Sequence, residues 1–411
     1  MSRTLLINPT AMEAGLIAAA EARKLPPARR AAFEAFARTG LPHKRIEGWK
    51  WTDLKAALRA PIDTPQADND VIAPSIFGAV KPFEITIMNG EAEWPADVPK
   101  GVSVSTVGAD EGAPLDKAIE HPMGALALAM SQSRLDIRIE AGARIGRPIL
   151  IRRIAGPGTH HARTAVSIGA SAAARVIESY HGVGRYFSNS LVDYRLDDDA
   201  ALERFILQDA SPDGVETSLA CLRLGARTRL RQTSLLFGAK AARIETRIAC
   251  EGESADIHLG NASLVADQRH ADTTTHIRLD APACVVRQSH KSALKERGQG
   301  VFQGKFFCAR TAQKTDARME AHALLLSDQA EADHKPELEI YADDVAMSHG
   351  STAGALDADA IFYMRSRGLD ERAARAMLVE AFVGAVFDDI DDETLRNIFR
   401  RRMSVWLENA P

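Results

Sequence analysis

From residue 135 to residue 341 the chain keeps returning to one pattern, and the return distance limits the folds open to it. Six segments alternate apolar and polar residues: RLDIRIEAGARIG, TAVSIGASAAARV, VDYRLDDDAALERF, LACLRLGARTRLRQ, TRIACEGESADIHL and THIRLDAPACVVRQ. One inward position taken from each gives Ile139, Ile168, Leu196, Leu224, Cys250 and Leu279, separated by 29, 28, 28, 26 and 29 residues. Each unit reads as an aliphatic strand, a tight turn of Gly, Asp, Ala or Pro, and a second β run. Alternation sends every other side chain to one face. A unit this short cannot bury that face alone and must stack on copies of itself, as in a solenoid. The units contain no helical pattern, so the expected fold is mainly β, a parallel β-helix of about six coils. A β-sandwich is the other way to bury such strands. The strict six-residue repeat of left-handed β-helices is absent, which favours a right-handed one.

Helical patterns flank this region. Residues 10–60 are rich in Ala, Glu, Lys and Arg, with Pro26-Pro27 separating two helices and Gly40 ending the second. Trp49 and Trp51 follow, either anchoring this arm on the body or stacking on a ligand, and Thr52 is expected to cap a short helix from Asp53. Ala60 to Ser75 is a Pro/Asp-rich linker, Asn89-Gly90 marks a hairpin, and PLDKAIEHPMGALALAMSQ is a short helical insertion. Beyond the repeats, Asp357, Asp370 and Asp392 are expected to cap three helices. On the last of these Leu395, Ile398, Phe399, Met403 and Trp406 share a face, which serves either as core or as a docking surface. The expected organisation is an N-terminal helical module and linker (1–80), a β-helix core (81–350) and a C-terminal helical module (351–411).

The chain has 411 residues with a net charge of −4, which favours neither nucleic acid nor an anionic membrane as a partner. Its start lacks a signal-peptide core and cleavage site, and no run approaches a membrane span. The four cysteines lie 29, 34 and 24 residues apart, neither a disulfide framework nor a zinc pattern, so a cytoplasmic protein with reduced thiols is expected. Cys250 sits at a rung position, as a small hydrophobe or as part of a sulfur-handling interior. Asp197-Asp198-Asp199 suit a solvated turn. His258, His270, His276 and His290 lack the spacing of a metal site. GQGVFQGKFF superficially resembles a phosphate loop, but Phe306 follows Lys305 where Ser or Thr is needed, so this chain is not expected to bind a nucleotide. Nor does any triad or paired-carboxylate signature stand out, and a carbohydrate-active β-helix enzyme would need carboxylates recurring at the repeat period.

The densest stretch runs from Phe302 to Leu369. It contains Gly304-Lys305, Ala312-Gln313-Lys314-Thr315-Asp316, Leu324-Leu325-Leu326-Ser327 and Pro336-Glu337-Leu338-Glu339-Ile340. Asp343-Asp344-Val345, Ser348-His349-Gly350 and the run from Phe362 to Leu369 (FYMRSRGL) complete it. In this set the chain resembles the SufB/SufD family of iron–sulfur cluster assembly scaffolds. Arg45, Trp49, Trp51, Thr52 and Leu54 resemble that family's N-terminal module. With its helical arm and no cysteine after Cys308, the chain is similar to the SufD type.

The resemblance implies a non-enzymatic scaffold that holds a nascent Fe–S cluster transiently with its partners. It implies pairing with a SufB-like chain, with His349 as a candidate iron ligand at that interface; a homodimer in isolation is the alternative. His349 is expected in a small-residue loop, where the bland reading is an imidazole satisfied by local backbone. Many relatives carry cysteine two residues before this histidine; here Met347 stands there, so the thiolates would come from the partner. The resemblance further implies that a SufC-like ABC ATPase docks on the C-terminal module. The residues expected to serve it are Phe362, Arg365, Arg367, Phe382, Phe387, Phe399 and Trp406.

Overall fold

Alternating strands that return every 28 residues or so can satisfy both their ladders and their apolar faces by coiling. In the computed structural model, which describes residues 8–62, 74–108 and 116–408, they do. Successive strands go alternately to a ten-stranded and a nine-stranded sheet that face each other, and about eight parallel coils result. The inward series is one in-register ladder in the nine-stranded sheet: Ile139, Ile168, Leu196, Leu224, Cys250 and Leu279 are consecutive partners. The ladder then continues through Cys308 to Ile340, so the solenoid exceeds the expected six coils. The last two coils escape the pattern because Gly300, Gly304 and Pro336 stand at inward positions. A Cβ at Gly304 would overlap Met319 Sδ, and one at Gly300 would press on Leu294.

At one corner each coil turns through a left-handed residue: Ser171, Asp199, Arg227, Ser254, Ala283 or Lys314, with φ between 55° and 64°. For non-glycine residues this conformation costs about 1–2 kcal/mol. A hydrogen bond offsets it: the Asp199 amide donates to Ala226 O (2.8 Å) and Arg227 to Glu253 O (2.7 Å), one turn to the next. The aspartate run adds to this lock, since Asp198 Oδ1 accepts from the Ala226 amide (2.8 Å) and Asp199 pairs with Arg227 (2.7 Å).

In cross-section the interior has three columns. One edge is aliphatic, with Ile257, Ile277, Leu279 and Phe306 among its members. The other holds Ile206, Leu236, Ile244 and Leu294. Between them runs a polar column that includes Glu178, Arg204, Gln232, Asn261, Gln288 and His290, all buried.

Helices cover the outer faces. α1 (Ala11–Ala22), α2 (Pro27–Thr39), α3 (Leu54–Ala57), α4 (Asp116–Ile119) and α5 (Pro122–Met130) belong to the N-terminal side. Their apolar residues pack on Phe187, Leu191, Val215 and Leu219 of the nine-stranded sheet. Asp53, not Thr52, caps α3; the Thr52 hydroxyl instead donates to buried Asp272 on the solenoid. Trp49 is the anchor of the arm: it is buried under the Arg243 guanidinium, 4.0 Å from the ring centre. Arg243 also holds Gly48 O (2.7 Å), Asp272 (2.9 Å) and Glu245 (2.8 Å). Residues 63–73 of the expected linker lie outside the described residues. The C-terminal α6 (Ala358–Ser366), α7 (Glu371–Gly384) and α8 (Glu393–Glu408) are capped by Asp357, Asp370 and Asp392 as the sequence suggests. α7 and α8 pack on Ile177, Phe205, Leu207 and Leu235 of the ten-stranded sheet. Among the described residues no helix is long and apolar enough to cross a membrane.

Candidate functional site

The two ends of the solenoid differ. At the first end the ladders finish in antiparallel strands, Glu91–Glu93 and Val102–Gly108, which blunt further pairing. At the last end both outermost strands, Glu331–Ile340 and Ala346–Gly354, are parallel edges, and among the described residues no further strand pairs with either. The aliphatic column also surfaces here: Ile340 is exposed, and Leu338, Val345 and Met347 are only partly covered, while Tyr341 next to them is exposed against Phe307.

His349 lies on this rim, in the strand Ala346–Gly354 rather than in a loop. The small residues around it support a ladder with Asp316–Leu324, where Met347 pairs with Ala317, His349 with Met319 and Ser351 with Ala321. Ala317, Met319 and Ala321 all face the core. Parallel register places Met347, His349 and Ser351 in the same inward rows, one rung beyond the last covered coil. Met347 still packs on the aliphatic column, whereas the His349 ring is exposed. The strand that carries this imidazole is a ladder edge.

Two histidines that the sequence reading left without a role stand beside it. His334, on the facing strand, bonds through Nδ1 to Ser351 Oγ (2.9 Å), while its Nε2 is buried without a partner among the described residues. One coil deeper, His290 is fully buried, stacks on Phe302 (4.8 Å, 22°) and meets His334 edge-on (5.9 Å). Counting in twos from Ile340 and Leu294 puts both at inward positions, a signal that was available. Burial, then the nearby His334 and His322, pushes the His290 pKa down to about 3; burial and His322 push His334 to about 4. Both imidazoles are neutral at pH 7.

A folded pKa below the unfolded value of about 6.5 means the unfolded chain binds more protons in acid. Stability is therefore lost as pH falls below about 6.5, by about 2 kcal/mol for His290 alone between pH 7 and pH 5. Urea midpoints at the two pH values should show that loss in the wild type and a smaller one in His290→Phe. Equal losses would mean that His290 titrates normally.

No thiolate reaches the rim. Cys250, Cys284 and Cys308 are buried in the aliphatic column. The Cys284 thiol donates to Ala281 O (3.4 Å), and its neighbour Cys250 lowers its pKa to about 7 while the Cys250 pKa is raised. All but the first residue of the run GQGVFQGKFF lie in the strand Gln299–Cys308, where Gly300 and Gly304 make room for Leu294 and Met319 rather than for phosphate. Among the described residues, no three His, Cys, Asp or Glu side chains are grouped to hold a metal.

The seven C-terminal residues divide. Phe362 is 74% exposed beside Tyr363 (59%), with Arg365 exposed on the same helix and Arg367 exposed at its C-cap. Arg365 pairs with Glu371 (3.3 Å), and Arg367 covers the Tyr363 ring. Phe382 and Trp406 are half-buried under Lys291 and Lys295 of the solenoid wall. Phe387 and Phe399 are 0% and 1% exposed; they pack against each other (5.7 Å) beneath the module and have no surface to offer a partner.

Residues 152–382 match the family model described as SUF system FeS cluster assembly, SufBD core domain. The chain is 28% identical to the iron–sulfur cluster assembly protein SufD of Escherichia coli, over 92% of each chain. It is 27% identical to an iron–sulfur cluster assembly SufBD family protein of Synechocystis, over 95% of this chain and 93% of the relative. A chloroplastic protein of Arabidopsis thaliana is 24% identical over 91% of this chain and 84% of its own length.

Proposed function

Because the chain belongs to the SufB/SufD family of SUF-system iron–sulfur cluster assembly proteins and is most like SufD, we propose that it is a non-enzymatic scaffold subunit whose open solenoid end pairs with a SufB-like chain. The observation that carries this reading is the rim: two unpaired parallel edges, an emerging aliphatic column and an exposed histidine in one inward row. A second β-solenoid set on that end would extend both sheets and bury Ile340, Tyr341 and Met347. His349 then becomes one ligand to a nascent cluster, which is cargo of the complex. Imidazole is a borderline donor suited to iron, and the thiolates come from the partner, since Met347 offers only a thioether.

A SufC-like ABC ATPase docks on the α6 corner, where Phe362 and Tyr363 stand exposed and Arg367 lies over the Tyr363 ring. Nucleotide hydrolysis belongs to that partner, whose dimerisation pulls the scaffold interface open. Self-association is the competing occupant of the open end, and gel filtration with and without a SufB-like chain separates the two.

The test is His349→Ala in the reconstituted complex. An exposed edge residue contributes little to folding, so thermal stability stays within about 0.5 kcal/mol of the wild type. Cluster formation falls by roughly tenfold or more, since even a supporting group at a metal site is worth that much. Unchanged cluster yield would remove His349 from the site.

A further inference from the structure

The two edges at the open end differ in the side chains they turn outward. On Ala346–Gly354 the core-facing residues Met347, His349 and Ser351 leave Ala346, Ser348, Gly350, Thr352 and Gly354 on the outer face. None of these carries a charge. The strand behind turns out Asp316, Arg318, Glu320 and His322 in the same rows. Edge strands that stay unpaired are guarded by charge, proline or a bulge. Here the charges stand one strand back and are missing from the edge itself. Its glycines also serve no packing purpose among the described residues. A Cβ on Gly350 or Gly354 would meet nothing within 4 Å, and neither residue has a positive φ. Gly300 and Gly304 differ, since Leu294 and Met319 fill the space they leave. Glycine inside a strand costs stability and otherwise marks close approach by another backbone or side chain.

The other edge is the reverse. Glu331–Ile340 turns His334, Leu338 and Ile340 inward and Glu331, Asp333, Lys335, Glu337 and Glu339 outward, four carboxylates to one ammonium. Cations meet this row from the coil behind and along the strand. Lys305 reaches Glu339 (2.8 Å), and Lys335 is shared between Glu337 (3.3 Å) and Glu47 of the N-terminal arm (2.8 Å). Glu331 accepts from the Gln299 amide (3.0 Å) and crowds Asp333, which burial and then this carboxylate push up to a pKa of about 6. The row has room for more positive charge.

We propose that the open end selects an unlike solenoid end, one whose outward side chains are Lys or Arg beside Glu331–Ile340 and large and apolar where they fold over Gly350 and Gly354. A second copy of this chain offers neither. Paired like sheet to like sheet, it would set acid row against acid row and glycine row against glycine row. Paired crosswise, it would set the acids against small uncharged residues. Like charges on adjacent strands repel, a cationic row gains, and edge glycines are stabilised by a large side chain across the ladder. Between the edges Ile340 and Met347 supply apolar surface that any partner would cover. The two edges decide which partner binds and which way round it sits. This inference rests on the proposed pairing at the open end.

The test is capture of the SufB-like chain by two variants of the full chain. Gly350→Val/Gly354→Val should melt at or above the wild-type temperature, since the space is open and valine suits a strand. It should nonetheless bind the partner at least roughly tenfold more weakly, as overpacking a closely fitted contact does. Glu331→Lys/Glu337→Lys should also bind roughly tenfold more weakly at low salt. Most of that difference should vanish in about 1 M salt, where screening acts over about 3 Å. In sedimentation the wild type should stay monomeric at concentrations where the mixed pair forms. Wild-type affinity in either variant, a glycine variant that melts several degrees lower, or self-association as tight as the mixed pair overturns the inference. The pairing reading fails separately, if the amides of Glu331–Ile340 and Ala346–Gly354 exchange equally fast with and without the partner. Protected edges together with normally binding variants would leave the pairing standing and defeat only the selection by the edges.

Discussion

Replacing Glu178 by glutamine is expected to cost about 3–5 kcal/mol, because it leaves buried Arg204 and Arg153 without their counter-charge. The carboxylate accepts from Arg204 Nε and the Tyr194 hydroxyl (both 2.7 Å) on one oxygen, and from Arg153 (3.0 Å) and the Tyr180 hydroxyl (2.8 Å) on the other. A glutamine amide would point a donor at donors. Burial alone would raise the Glu178 pKa, but the charges of Arg204 and Arg153 outweigh it and hold it at about 2. The folded value lies below the unfolded value, so this stability is present at neutral pH. It is lost as pH falls from about 4.5 toward about 2. Urea midpoints at pH 7 measure the cost, and the acid limb of the wild type should flatten in the variant. The double change Glu178→Leu with Arg204→Met should recover much of the loss, since matched apolar groups often replace a buried pair without penalty. A single variant within 1 kcal/mol of the wild type would mean that the network contributes little.

Phe399→Ala should be comparably severe, about 3–5 kcal/mol, because it opens a cavity among rings. Phe399 meets Phe387 at 5.7 Å and both Phe77 and Phe205 at 6.0 Å, so it joins α8 to the solenoid wall. The damage is local first: Arg400, Arg401 and Arg402 should become tryptic sites, since the Arg402–Asp209 pair (2.7 Å) loses its seat. Capture of a SufC-like ATPase should fall with the loosened module. Phe362→Ser is the informative contrast. Its ring is exposed, so folding should change by no more than about 0.5 kcal/mol while capture falls as well. If Phe362→Ser binds normally, the α6 corner is not the docking surface.

Much of the architecture was legible because a parallel ladder is a local rule repeated. Ile139 through Leu279 can be aligned from their spacing, and those same residues stand in register in the folded chain. The last two coils were missed where glycine and proline replaced aliphatic residues inside. The rim site was only half legible. His349 could be singled out, but small polar residues look like a loop when the partner strand that makes them a ladder is unknown. His290 and His334 fell at inward positions, yet a histidine there reads as an exception to the pattern until the whole polar column is seen.

The sequence by itself determined the coil length, the inward rows and the presence of capped helical modules, since each depends on residues within about one repeat of one another. The tertiary structure decided which end stays open, that Phe387 and Phe399 are covered while Phe362 is not, and that Trp49 is an anchor under Arg243. Those outcomes depend on contacts between segments a hundred or more residues apart. No periodicity encodes them, because they arise from how the helical modules share the outer walls that the coils leave exposed.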